Sequence, residues 1–436
     1  MTGSNSGVGT WGKCADVPQE QKAGWASFVK SLAQMTGDLS SMTAPPWDAL
    51  SLSISALRLA EAERFRVEDH AVTIHLVILS PVSLTEFPAY WCEHPELFAS
   101  ISEGQTEQER VERVLRWFIG TLKAQYTTRN EKMGSEKKPL NPVLGELFYG
   151  TWPDVNGRGE TVLVVEQVSH HPPITPQTAY HIENKKAGVS LQGHSGQKTS
   201  FTGTAINVKQ SGHAILTVQP KNGSAVETYL ITLPKLRIEG IIWGSPYIEL
   251  VEMSAIQSST GYTVQIDYKG KGYFSGKAHS FKAVLTHNGN GNGNGGNGHP
   301  LQTYEGQWTG VATVGGPKGP VFLDTNIAKE EVIVKPIEEQ DEWESRRLWE
   351  KVAKGIRTGD YDTAGKEKSR IENEQRQRRK DEASSGNGWA HRHFTHVDSD
   401  PEYQQLSAML HDKLTPAHED AYVYKGEQQQ AQAQAE

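Results

Sequence analysis

Hydrophobic positions along this chain follow two rhythms, and the change between them divides it. Near the start, Trp25, Phe28, Leu32 and Met35 are spaced three, four and three apart, which puts them on one face of a short amphipathic helix. Its polar side is mostly Ser, Thr, Gln and Gly, with Lys22 and Lys30. Such a face either packs on a core as an ordinary helix or serves as a lid that alternates between protein and lipid. A second helical stretch is expected over 81–126, where Val111, Val114, Leu115, Phe118 and Leu122 form one stripe. From about 146 to 285 the period becomes two. Tyr262, Val264, Ile266 and Tyr268 alternate with Thr263, Gln265 and Asp267, as in a half-buried antiparallel strand. Comparable strands are expected at 200–208, 214–218, 228–232, 236–242 and 247–253.

Gly and Pro turns separate these segments at hairpin spacing, which favours a barrel or sandwich over a βαβ sheet. Residues 288–298 are almost pure Asn and Gly and read as a flexible loop between two strands. Late strands follow at 301–314 and 319–323. Beyond Glu338 the spacing turns helical again, through Trp343, Leu348 and Val352, then in a charged stretch over 363–384. Residues 1–21 and the Gln-rich tail 422–436 are expected to be disordered.

Composition narrows the function classes. The chain has 436 residues, 36% of them hydrophobic and 22% charged, enough for a sizeable core with a polar surface. Its net charge of −8 argues against a nucleic-acid partner, which needs a basic face over a whole domain. Anion recognition must therefore come from a local cluster. Cys14 and Cys92 are too few for a disulfide framework and suit a reduced, cytoplasmic compartment. The apolar run over 71–82, interrupted by His75 and Pro81, is too short to cross a bilayer, so any membrane contact is expected to be peripheral.

Three segments carry candidate chemistry. The strand-like run 160–165 leads into Glu166-Gln167-Val168-Ser169-His170-His171-Pro172-Pro173. The prolines stiffen this corner, and the first pushes His171 toward extended geometry. His170 and His171 are either solvated turn residues or paired donors for an anion. The second segment, Lys137-Lys138-Pro139-Leu140-Asn141-Pro142, sets ammonium groups and an amide on another Pro-stiffened loop. In the third, Lys368, Glu372 and Arg376 stand at i, i+4 and i+8 on one helix face, which by itself is also the pattern of a solvated ion-pair ladder. A metal-dependent hydrolase built on His170 and His171 is a competing reading. No His-Glu-x-x-His spacing accompanies the pair, and adjacent residues on extended chain point to opposite faces.

The whole string from Glu166 to Pro173 resembles the signature of the oxysterol-binding protein family, a group of lipid-transfer proteins. Ser80-Pro81-Val82-Ser83-Leu84-Thr85-Glu86-Phe87, Lys138-Pro139-Leu140-Asn141-Pro142, Ile238-Glu239-Gly240 and Gly272-Tyr273-Phe274-Ser275-Gly276-Lys277 extend the likeness from about Gly24 to Phe394. The resemblance implies an α+β, mainly β fold: an incomplete antiparallel β-barrel (146–335) around a lipid tunnel, an N-terminal lid helix (22–46) and a C-terminal helical part (338–421). It implies a phosphoinositide headgroup site made by Lys138, Asn141, His170, His171, Lys368, Glu372 and Arg376. Gln125, Tyr126 and Gln210 match tunnel positions, and Trp25 matches the lid.

By the same likeness the chain is a non-enzymatic monomer without a cofactor. It would take a sterol or phosphatidylinositol 4-phosphate and exchange them between membranes of the Golgi and endoplasmic reticulum. A sterol sensor that transfers nothing is the third reading. One departure stands out: residues 47–77 intervene where the family connects almost directly. They are either a genuine insertion between lid and body or untranslated sequence carried into the gene model.

Overall fold

The computed structural model describes residues 79–127, 138–154, 156–169, 177–202, 204–240, 247–270, 277–287, 300–385, 389–410 and 421–426. The expected lid with Trp25, the 47–77 segment and the Asn/Gly loop lie outside the described residues.

The chain enters as strand β1 (Leu79–Ser83), which runs parallel to β2 (Lys138–Leu140). The expected helix over 81–126 is thus corrected at its start. Ser83 then caps a 3₁₀ helix, Leu84–Cys92, by accepting from the Thr85 amide. Helix α1 (Glu107–Tyr126) follows, opened by the Thr106 hydroxyl, which accepts from Glu109 N at 3.1 Å. Acidic Glu107 and Glu109 sit in its first turn and Lys123 in its last, in line with the helix dipole. The anticipated stripe of Val111, Val114, Leu115, Phe118 and Leu122 is fully buried.

The main sheet has fifteen strands. It opens with β3 (Leu147–Trp152), β4 (Thr161–Ser169), β5 (Gln177–Asn184) and the long β6 (Val189–Phe201). Next come β7 (Ile206–Ser211), β8 (His213–Val218), β9 (Glu227–Thr232), β10 (Lys235–Glu239), β11 (Tyr247–Val251) and β12 (Met253–Ser258). It closes with β13 (Tyr262–Lys269), β14 (Ser280–His287), β15 (Gln302–Gln307), β16 (Val311–Val314) and β17 (Val321–Asp324). All its pairings are antiparallel. Strand β6 is the junction: its first half pairs with β5 and β8, and its second half with β7. Among the described residues the sheet ends at β3, β11 and β17 without closing, the incomplete barrel that the resemblance implied. A strap after β17 covers the outer side of β3 through a bridge between Thr151 and Ile333.

Three expected strands are split by turns that hydrophobicity alone does not mark. The 200–208 strand is the end of β6 and the start of β7, joined by a turn in which Thr202 N donates to Ala205 O. The 301–314 strand divides at Gly310, whose amide donates to Gln307 O. The 247–253 strand breaks at Glu252, held in left-handed geometry at φ 62°.

After the barrel come α2 (Glu350–Thr358) and α3 (Tyr361–Ser385), then β18 (Phe394–Val397), α4 (Pro401–Ser407) and β19 (Ala421–Tyr424). Two boundaries are corrected here. Residues 422–424 are not tail but a strand paired with β18, and the C-terminal part is not purely helical. Apolar burial is divided. The main core fills the barrel and α1, while a smaller core joins Leu79, Leu140, Val143, Trp349, Val352, Ile356, Ala364 and Ile371.

Candidate functional site

The barrel interior holds a pocket lined by Leu84, Phe87, Tyr90 and Trp91 of the 3₁₀ helix, Gln125 and Tyr126 at the end of α1, and Tyr180, Gln197 and Gln210 on the strands. Gln125, Tyr126 and Gln210 thereby line one pocket. Gln210 Nε2 donates to the Tyr126 hydroxyl at 2.7 Å and to Pro234 O at 2.8 Å, and Gln125 Nε2 donates to Thr121 Oγ1 at 2.8 Å. The arrangement is an apolar wall with a small hydrogen-bonding network, suited to a greasy molecule with one polar end. Tyr180 and Gln197 were missed in the sequence reading. Their period-two placement on β5 and β6 was the available signal, but it does not say which face looks into the barrel.

A second group of polar residues collects outside the barrel on α3. Lys368 ion-pairs with Glu372, and Glu372 Oε2 lies 3.7 Å from Arg376 Nη2. The Lys368 side chain is 16% exposed and that of Arg376 is 59% exposed, so the latter is open to a ligand. Lys138 begins β2, and half-buried Asn141 follows it in the next loop. Loop and helix share the smaller core, since Leu140 and Val143 cluster with Ala364 and Ile371. Five of the seven expected headgroup residues therefore belong to one substructure. His170 and His171 lie outside the described residues, beyond Ser169 at the end of β4.

Buried carboxylates hold the loop around Asn141. Both Glu146 oxygens are engaged: Thr85 Oγ1 donates at 2.9 Å, Val143 N at 3.0 Å and Trp349 Nε1 at 2.9 Å. Burial raises its pKa despite these donors. Glu166, which follows the apolar run Val162–Val165 in β4, accepts from Arg392 N at 2.9 Å and His393 N at 2.8 Å. Glu166 opens the signature string, but neither acid was given a role from sequence. An acid inside a run such as Val162–Val168 signals a buried charge with a dedicated partner.

An open antiparallel barrel around a pocket of apolar and amide side chains, flanked by a highly charged helix, defines a ligand-binding barrel protein. The chain belongs to the oxysterol-binding protein family, whose model matches residues 70–355 and 353–433. It is 53% identical over 414 residues to the KES1 protein of Mycosarcoma maydis, covering 94% of this chain and 97% of that one. It is 44% identical over 396 residues to the kes1 protein of Schizosaccharomyces pombe, covering 89% and 91%. The fold matches the Osh1 ORD domain, solved with cholesterol, at TM-score 0.62 and 18% identity over 96% of this chain and 97% of that domain. It also matches the Osh3 ORD of Saccharomyces cerevisiae, solved with PI(4)P, at TM-score 0.54 and 22% identity over 78% and 86%. Among the described residues no helix is long and apolar enough to cross a membrane.

Proposed function

We propose that this protein takes a sterol or phosphatidylinositol 4-phosphate into one barrel and exchanges them between membranes, as a monomer acting at organelle surfaces. One observation carries the reading: the Asn141 loop and the Lys368–Arg376 helix face are built on a common small core beside a barrel with an apolar pocket. A phosphomonoester brings about −1.5 to −2 charges near neutral pH, and several converging donors are needed to offset its desolvation. Lys138, Asn141, His170, His171, Lys368 and Arg376 supply that chemistry, with Glu372 orienting the two cations. The neutral lipid needs only apolar enclosure and a partner for its hydroxyl, which the Gln210–Tyr126 pair supplies. Two ligands competing for one cavity let a gradient of one drive the other, and no covalent step enters.

The test is extraction from liposomes by His170→Ala/His171→Ala. Phosphatidylinositol 4-phosphate extraction should vanish while sterol extraction stays largely intact; equal loss of both would argue against a separate headgroup site. Transfer between two liposome populations distinguishes a carrier from a protein that only senses sterol.

A further inference from the structure

The Glu166 side chain has no exposed surface, and its neighbours Val165 and Val168 are buried. Its two oxygens capture consecutive backbone N–H groups, of Arg392 and His393, from a segment far along the chain. His391 Nδ1 lies 3.6 Å from Oε1. Burial pushes the carboxyl pKa up, but the His391 ring and the two amides outweigh it and hold the group below the usual carboxylate range. An ionised interior carboxylate fitted with backbone donors is a socket for those donors.

The segment in that socket is the exit from α3. Trp389 packs against Gly145, whose φ is +81° and where an added Cβ would lie 2.0 Å from the indole. Only glycine suits that backbone and that space. The Trp389 ring meets the Trp343 ring at 5.0 Å, and the Arg378 guanidinium of α3 lies 4.5 Å from the Trp343 centroid. Gly145 N donates to Gln167 O at 2.9 Å, one residue from Glu166. Glu166, Gly145, Trp389, Trp343 and Arg378 thus form one contiguous set. The upstream half of α3 is fixed separately, through Ala364 and Ile371.

We propose that Glu166 is a positioning residue for the headgroup site. By fixing the backbone at 392–393, with Trp389 seated on Gly145, it sets the downstream half of α3 and so the place of Arg376 relative to Asn141. The inference rests on the headgroup reading above. Glu166 touches no ligand; it acts through Arg376.

Glu166→Gln keeps the shape and replaces one acceptor oxygen with an amide facing an N–H donor. Gly145→Ala disturbs the same anchor from the other side. With the full chain, extraction is measured from phosphatidylcholine vesicles doped with phosphatidylinositol 4-phosphate and, separately, with ergosterol. Each variant should lose about tenfold in phosphoinositide affinity and stay within about twofold for ergosterol. Glu166→Gln should add no further loss in an Arg376→Ala background. Amide exchange should quicken over 376–397 and stay unchanged in β12–β15. Unchanged phosphoinositide extraction alongside faster exchange would overturn the proposal, as would equal loss of both lipids or additive losses with Arg376→Ala. If the unaltered protein extracts no phosphoinositide, the headgroup reading fails first and takes the inference with it.

Discussion

The barrel core and the flanking core bury the same kinds of side chain but prepare different surfaces. The barrel gathers Trp117, Tyr180, Tyr229 and Tyr304 from segments distant in sequence and leaves a pocket within. The flanking core uses a few aliphatic residues and Trp349 to prop up a 25-residue helix whose outward residues are all polar and mostly charged. Enclosing an apolar molecule requires continuous wall on many sides, hence a large, non-local sheet. Fixing a few charges against an anion requires only that one helix not move. On the headgroup reading proposed above, this division would let two unlike ligand chemistries be tuned separately in one molecule.

The greatest effect should come from damaging the barrel itself. Arg110 on α1 and Glu227 on β9 form a buried pair, with Arg110 Nε donating to both carboxylate oxygens at 3.0 Å. Arg110→Ala strands the carboxylate and should cost about 3–5 kcal/mol. Thermal melting should register it, and both lipids should be lost together; a melting point near that of the unaltered protein would mean the pair is not a barrel keystone. Next, Lys368→Ala/Arg376→Ala should abolish phosphoinositide extraction and leave the melting temperature nearly unchanged, because Lys368 and Arg376 pair within a partly solvated ladder. The comparison fails if sterol extraction falls equally.

A smaller, opposite split is expected from Tyr126→Phe. Gln210 would lose one acceptor, a penalty of about 1–3 kcal/mol, so sterol affinity should drop while phosphoinositide binding holds. Titration calorimetry or fluorescence with a sterol analogue would measure it.

The mildest effect concerns pH. His181 stacks on Tyr424 at 4.0 Å and His194 meets Tyr422 edge-on, so both face β19. Burial, then the Lys185 charge, lowers the His181 pKa to about 4. Burial, then His213, lowers that of His194 to about 3. Freed chain takes up these protons near pH 6.5, whereas the docked chain resists until pH 3–4. Docking of the paired strands β18 and β19 is therefore strongest above pH 6.5 and weakens as pH falls toward about 4. Amide exchange over 421–424 should rise in that window before exchange in β13 does.

Strands whose apolar residues alternate cleanly were legible from sequence: β13 has the expected bounds because Val264 and Ile266 face a core and Thr263 and Gln265 do not. Strand ends were less so: Gly203 beside Thr202 was a turn signal that the reading passed over, whereas the break at Glu252 comes from a left-handed non-glycine residue that sequence does not mark. The Lys368–Glu372–Arg376 face followed from helical period alone. Glu146 and Glu166 escaped because their meaning lies in donors supplied by Trp349, Arg392 and His393, each more than 200 positions away. No local pattern marks the far end of such a contact.

The pairing of Ala421–Tyr424 with Phe394–Val397 has a consequence for how the molecule is made. A ribosome delivers the sheet through Asp324 well before it delivers these closing residues, and early-emerging units can fold while later ones are still being added. A nascent or truncated product ending short of Ala421 is therefore expected to complete its greasy interior yet leave β18 without its partner strand and His181 and His194 without the Tyr424 and Tyr422 rings. Nonsense or proteolytic loss of that strand would leave a species with a finished barrel and an unpaired β18.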